Sequence, residues 1–163
     1  VKPTGAAISL AAEAESAEAR ETEMGKGRQY WLLKTEPGEW SWEDQRSSPG
    51  GVSPWDGVRN RQAQKNMKSM REGDLCFFYH SGSRPSGRRI VGVVEVVKPW
   101  YATTGGGDGD GDGAVDVRSV GEMGRPVRLE EIKEDPAMAD LALVRQPRLS
   151  VVPVPEGIWE KAQ

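Results

Sequence analysis

A chain of 163 residues, 36% apolar and 29% charged, is long enough for one domain with a substantial core and short for two. It contains no run of about 20 apolar residues, which excludes a membrane-spanning helix. Its single cysteine, Cys76, excludes a disulfide framework and fits a reducing compartment. The net charge of −3 belongs to residues 1–24, where Glu13, Glu15, Glu18, Glu21 and Glu23 outnumber Lys2 and Arg20. The rest balances 20 basic against 20 acidic residues, so any affinity for nucleic acid must come from charge segregated by face.

Residues 1–28 are rich in Ala and Glu and hold no aromatic residue, the composition of a disordered acidic arm. The start, Val1-Lys2-Pro3-Thr4, lacks the layout of a secretory signal, and the missing initiator methionine is that of a fragment or processed chain. The ordered domain is expected over 29–163. A strand over 29–34 stops at Glu36-Pro37-Gly38, one helical turn follows at 40–45, and 47–51 is a loop. Ser53-Pro54-Trp55-Asp56-Gly57 reads as a second loop carrying an exposed indole.

Residues 60–71 form the clearest helix. At 100° per residue, Arg61, Lys65 and Lys68 share one stripe and Ala63, Met67 and Met70 the opposite one. Arg59 and Asn66 project close to the apolar stripe and need partners or an outward bend. A dense strand over 74–79 ends in His80-Ser81, with Cys76 as a small buried hydrophobe. A Ser/Gly/Pro loop with Arg84, Arg88 and Arg89 follows. Residues 89–97 are apolar on both faces and predict a central strand. A Gly/Asp-rich loop occupies 104–113, and 114–120 alternates like a half-exposed strand. Short helices are expected at 129–133 and 136–143. A last strand over 148–152 precedes a short helix with Pro155 near its first turn. Short strands and short helices without a βαβ repeat predict an α+β fold, a small mixed β-barrel with flanking helices.

Several chemistries can be set aside. Asp108, Asp110, Asp112, Gly113 and Val115 imitate the start of a calcium loop, but Ser119 stands where the bidentate glutamate belongs, so a flexible linker is expected. Ser81, His80 and Asp56 lack a nucleophile elbow, and adjacent strand residues point to opposite faces, so no hydrolytic triad is expected. One histidine and one cysteine supply too few soft ligands for a metal site, and no phosphate loop ends in Lys-Ser/Thr. Of the six tryptophans, Trp31 and Trp159 read as core, whereas Trp55, on a loop before a helix, suits base stacking, with core packing as the alternative. The stripe of Arg61, Lys65 and Lys68 and the loop of Arg84, Arg88 and Arg89 together suggest a phosphate-contacting rim, with an ordinary solvated face as the alternative.

Tyr30-Trp31-Leu32-Leu33-Lys34-Thr35-Glu36-Pro37, Trp55-Asp56-Gly57-Val58-Arg59-Asn60-Arg61-Gln62-Ala63, Gly73-Asp74 with Phe77-Phe78-Tyr79-His80-Ser81, and 143–151 together resemble the EVE domain family. The resemblance runs from about Tyr30 to the C-terminus and departs from the family where Trp100-Tyr101 gives way to the Gly/Asp run. It implies a PUA-like fold related to the YTH readers of methylated adenine. It also implies non-catalytic reading of modified bases, chiefly 5-methylcytosine and its oxidised forms in DNA, without a cofactor, in the nucleus. The implied pocket comprises Trp55 as the stacking residue with Lys34, Thr35, Glu36, Asp56, Val58, His80, Ser81, Arg145 and Ser150. Arg59, Asn60, Arg61, Lys65, Lys68, Arg88 and Arg148 are the implied backbone contacts. An RNA-binding PUA-like module, or a scaffold that has lost its ligand, are the alternatives.

Overall fold

The computed structural model describes residues 28–82, 87–103, 112–139 and 141–162. The acidic arm up to residue 27, Arg84 and most of the Gly/Asp-rich run lie outside these residues. The strands are β1 Tyr30–Thr35, β2 Val52–Trp55, β3 Leu75–His80, β4 Arg89–Ala102, β5 Gly113–Arg128 and β6 Val151–Val154. The helices are α1 Trp42–Ser47, α2 Arg61–Lys68, α3 Leu129–Glu134, α4 Ala142–Arg145 and α5 Glu156–Ala162. Among the described residues the strands form one mixed sheet in the order β2-β5-β4-β3-β1-β6. β1 and β3 run parallel within it; the remaining pairings are antiparallel. The sheet has the α+β character expected, with β2 and β6 as free ends rather than a closed ring.

The core follows from the apolar density of the central strands. Leu32 pairs with Phe77 on one side and Val152 on the other, and Leu32, Leu33, Phe78, Val94, Val117 and Val151 are all inaccessible. β4 lies inside the sheet as its composition predicts, yet one face only is fully buried, with Ile90, Gly92, Val94 and Val96 inward. α2 places Ala63 and Met67 against the sheet, with Met70 buried just past its end, and leaves Arg61, Lys65 and Lys68 outward. Asn66 finds its partner by donating to Val151 O at 2.8 Å. Trp159 stacks on Phe77 and Tyr30 at 3.9 and 4.7 Å. Asp74, 1% exposed, accepts from Gln29 N, Trp31 Nε1 and Arg71 N, so its burial is met by donors from the start of β1 and the turn before β3. Burial pushes the Cys76 thiol well above its ordinary value, as an inert core cysteine requires.

Several elements differ from expectation. β5 continues to Arg128, well past the expected end at 120, and β4 to Ala102 rather than 97. Residues 52–55 are a strand rather than a loop, and Pro54 is tolerated because β2 is a sheet edge. The expected helix over 136–143 is replaced by turns at 136–139 and the short α4. There Asp135 Oδ1 accepts from Ala137 N at 2.9 Å and competes with helical pairing. The last strand begins at Val151, which leaves 148–150 irregular and free to face the site.

Candidate functional site

A cleft of about 760 Å³ opens where the C-terminal end of β1, the end of β2 and the segment before β6 converge. β1 contributes Lys34 and Thr35, followed by Glu36; the turn beyond adds Glu39 and Trp40. β2 contributes Ser53, Pro54 and Trp55, and the loop that follows it contributes Asp56, Val58 and Arg59. Ser81 at the end of β3, with Pro147, Arg148 and Ser150, closes the remaining wall.

Hydrogen bonds knit these walls together. Ser81 N donates to Thr35 O at 2.8 Å and Lys34 N to Ser150 O at 2.9 Å. Lys34 Nζ donates to Pro147 O at 2.9 Å, so this lysine braces the 147–150 segment, and burial lowers its pKa. Thr35 Oγ1 donates to Trp40 O at 2.9 Å, and Glu36 O accepts from both Glu39 N and Trp40 N. This turn folds Trp40 back over the strand end. Its indole Nε1 donates to Oε1 of Gln45 at 3.0 Å. Gln45 is fully buried and also accepts from Ser53 Oγ at 2.8 Å while donating to Gly51 O at 2.9 Å. One amide thereby links the Trp40 wall to the β2 wall. Gln64, also buried, works on the next loop: its Nε2 donates to Val58 O at 2.7 Å and Gly113 O, and its Oε1 accepts from Trp100 Nε1. Gly57, at φ 73°, makes the turn that carries Asp56 and Val58 into the cleft.

The expected pocket residues Lys34, Thr35, Glu36, Trp55, Asp56, Val58, Ser81 and Ser150 all line this cleft. Two do not. His80 turns away: its Nε2 accepts from Trp42 N at 3.0 Å, and burial with nearby Arg89 lowers its pKa. It braces the start of α1 because strand alternation sends its side chain opposite to Ser81. Arg145 lies on α4, exposed and outside the cleft.

Trp55 also needs correction. It is no bare indole at an entrance: it ends β2, is 6% exposed and packs edge-to-face on Phe78 at 5.5 Å. Only a small part of its ring reaches the cleft, so it forms apolar floor. Trp40, half-buried, offers more indole surface, and the signal that could have found it is its place in the turn closing β1.

The expected backbone contacts divide. Arg59 and Arg148 line the cleft. Asn60 caps α2, its Oδ1 accepting from Ala63 N at 2.9 Å. Arg61, Lys65 and Lys68 are exposed along α2, with Lys68 lying over Trp100 at 4.7 Å. Arg88 is exposed at φ 57°, before β4 and outside the cleft. Among the described residues no cluster of His, Cys, Asp and Glu is arranged to hold a metal ion, and no helix is long and apolar enough to cross a membrane.

The arrangement is that of a binding cleft with two indoles, an aliphatic patch at Val58 and polar groups on opposing rims. The EVE domain model matches residues 29–162. Mouse thymocyte nuclear protein 1 is 32% identical over 155 residues, covering 77% of this chain and 68% of its own. A crystal structure from Agrobacterium tumefaciens is 42% identical with TM-score 0.74, covering 82% of this chain and 89% of the other. The crystal structure of human THYN1 protein in complex with 5-methylcytosine-containing DNA is 27% identical with TM-score 0.74, covering 82% and 95%. The chain belongs to the EVE domain family.

Proposed function

We propose that this protein is a non-catalytic reader of a modified base in nucleic acid, in DNA rather than RNA, the base being 5-methylcytosine or an oxidised derivative. The observation that carries the reading is the cleft itself, with indole surface from Trp40 and Trp55, aliphatic surface from Val58 and polar rims. The complex of the human relative with 5-methylcytosine-containing DNA supports it. The names of the relatives support a nuclear location.

Flipping a base from a duplex costs a few kcal/mol, and stacking on an aromatic side chain returns about 1–3 kcal/mol. Trp40 supplies that surface, held in place through Gln45. Thr35, Glu36, Asp56 and Ser81 face the base edge, and Arg59 and Arg148 meet the flanking phosphates. A methyl reaching the dry patch of Trp55 and Val58 adds about 0.8 kcal/mol, about fourfold in affinity. Larger discrimination requires that an unmodified base strand a polar group or leave a gap.

The test is titration of labelled duplexes identical except for one 5-methylcytosine, with single-stranded RNA as competitor. Methylated duplex should bind at least about fourfold tighter, Trp40→Ala should weaken both duplexes by the lost stacking, and Val58→Ala should shrink the preference. Arg148→Ala should weaken both duplexes alike and reduce the salt slope by about one. Equal binding of both duplexes by the folded protein overturns the reader assignment, and stronger competition by RNA overturns the DNA assignment.

A further inference from the structure

Beside the cleft lies a second groove of about 340 Å³, lined by Asn60, Gln62, Gln146, Pro147, Arg148 and Leu149. Pro147 and Arg148 belong to both, so the two hollows meet across a common wall. Their chemistry differs. The cleft carries the carboxylates Glu36, Glu39 and Asp56, whereas no carboxylate lines the groove. A polyanionic strand leaving the cleft past Glu36 and Glu39 meets like charge; leaving past Arg148 into the groove, it meets a guanidinium and uncharged amides. Gln62 and Gln146 are exposed, and each offers a donor pair and an acceptor, the complement of a base edge. Asn60 commits its Oδ1 to the α2 cap, which leaves its amide N–H groups to donate. Exposed Pro147 supplies the apolar surface against which a ring can lie, above the buried Leu149.

We propose that this groove is a subsite for the nucleotide adjoining the recognised base, so that the protein reads sequence context on one side of the modification. The proposal rests on the reading of the cleft given above. It is tested by isothermal titration with three probes: 5-methyl-2′-deoxycytidine, and the two dinucleotides that extend it on its 5′ or its 3′ side. One dinucleotide should bind tighter than the nucleoside. In the variant Gln62→Ala/Gln146→Ala that gain should fall about tenfold, the loss expected of two solvent-competed amide hydrogen bonds. Nucleoside affinity should not change, because neither glutamine lines the cleft.

Gains equal for both dinucleotides, or a gain the double variant leaves intact, overturns the subsite while the cleft reading stands. A fall in nucleoside affinity equal to the fall for the dinucleotide also overturns it, since the glutamines then act on the cleft. No binding of any probe by the folded wild-type protein sinks the reading of the cleft, and the subsite with it.

Discussion

Replacing Gln45 with leucine tests whether one buried amide holds the cleft together. The side chain is inaccessible and its oxygen accepts from Trp40 Nε1 and Ser53 Oγ. Its nitrogen donates to Gly51 O at 2.9 Å and, at 3.4 Å, to Val117 O. Leucine ends one bond shorter but has a similar volume and no polar atom, so most packing survives while these partners lose their bonds. Trp40 is half-buried and its N–H can turn to water at little cost. Ser53 and Gly51 are both buried, so their polar groups stay dry. Each orphaned group costs about 1–3 kcal/mol, partly offset by the apolar side chain gained, for a net loss of about 2–4 kcal/mol. Urea unfolding should show a lower midpoint with an unchanged slope. Ser53→Ala removes one of the orphans, so the double variant should be more stable than additivity predicts by about 1 kcal/mol. A loss below about 1 kcal/mol for Gln45→Leu, or strict additivity with Ser53→Ala, refutes the hub.

Trp55→Ala should cost about 3–5 kcal/mol by equilibrium unfolding, because it empties a core position against Phe78; a cost below about 1 kcal/mol would show the indole to be peripheral. Gly92→Ala should cost about 1–3 kcal/mol, since a Cβ there falls 2.5 Å from the Trp42 ring, and near-UV circular dichroism should report the displaced indole. His80 makes stability depend on pH. Its folded pKa lies below the ordinary 6.5, so the unfolded chain takes up the proton first. The contribution is complete above pH 6.5 and is lost as pH falls through the folded value. His80→Gln keeps an acceptor for Trp42 N without titrating, and should flatten the stability profile in that window. An identical profile in wild type and variant would refute the role given to His80.

Much of the site was legible because strand ends are punctuated locally. The apolar run of β1 stops at Glu36-Pro37-Gly38, and the run of β3 stops at Ser81. Polar residues at the ends of adjacent strands meet when those strands pair, as β1 and β3 do in parallel register from Tyr30 to Thr35. The faces of α2 were equally readable, since its period alone decides that Met67 goes in and Lys65 out. Asp74 and Gln45 were not assigned their partners, because a buried polar side chain is satisfied by groups distant in the chain, which no local pattern contains.

The exposure of Trp55 shows where sequence stops deciding. Ser53-Pro54-Trp55-Asp56-Gly57 has the composition of a loop, and an isolated loop would leave the indole bare. β5 pairs with it instead, Trp55 opposite Val115, and Phe78 from β3 takes the ring edge-on. The amino-acid order determines that this chain has short strands, one strongly two-faced helix and a polar seam at its strand ends. Tertiary structure decides which indole faces the cleft, because solvent exposure is set by whatever covers a residue, and the covering strands come from far along the chain.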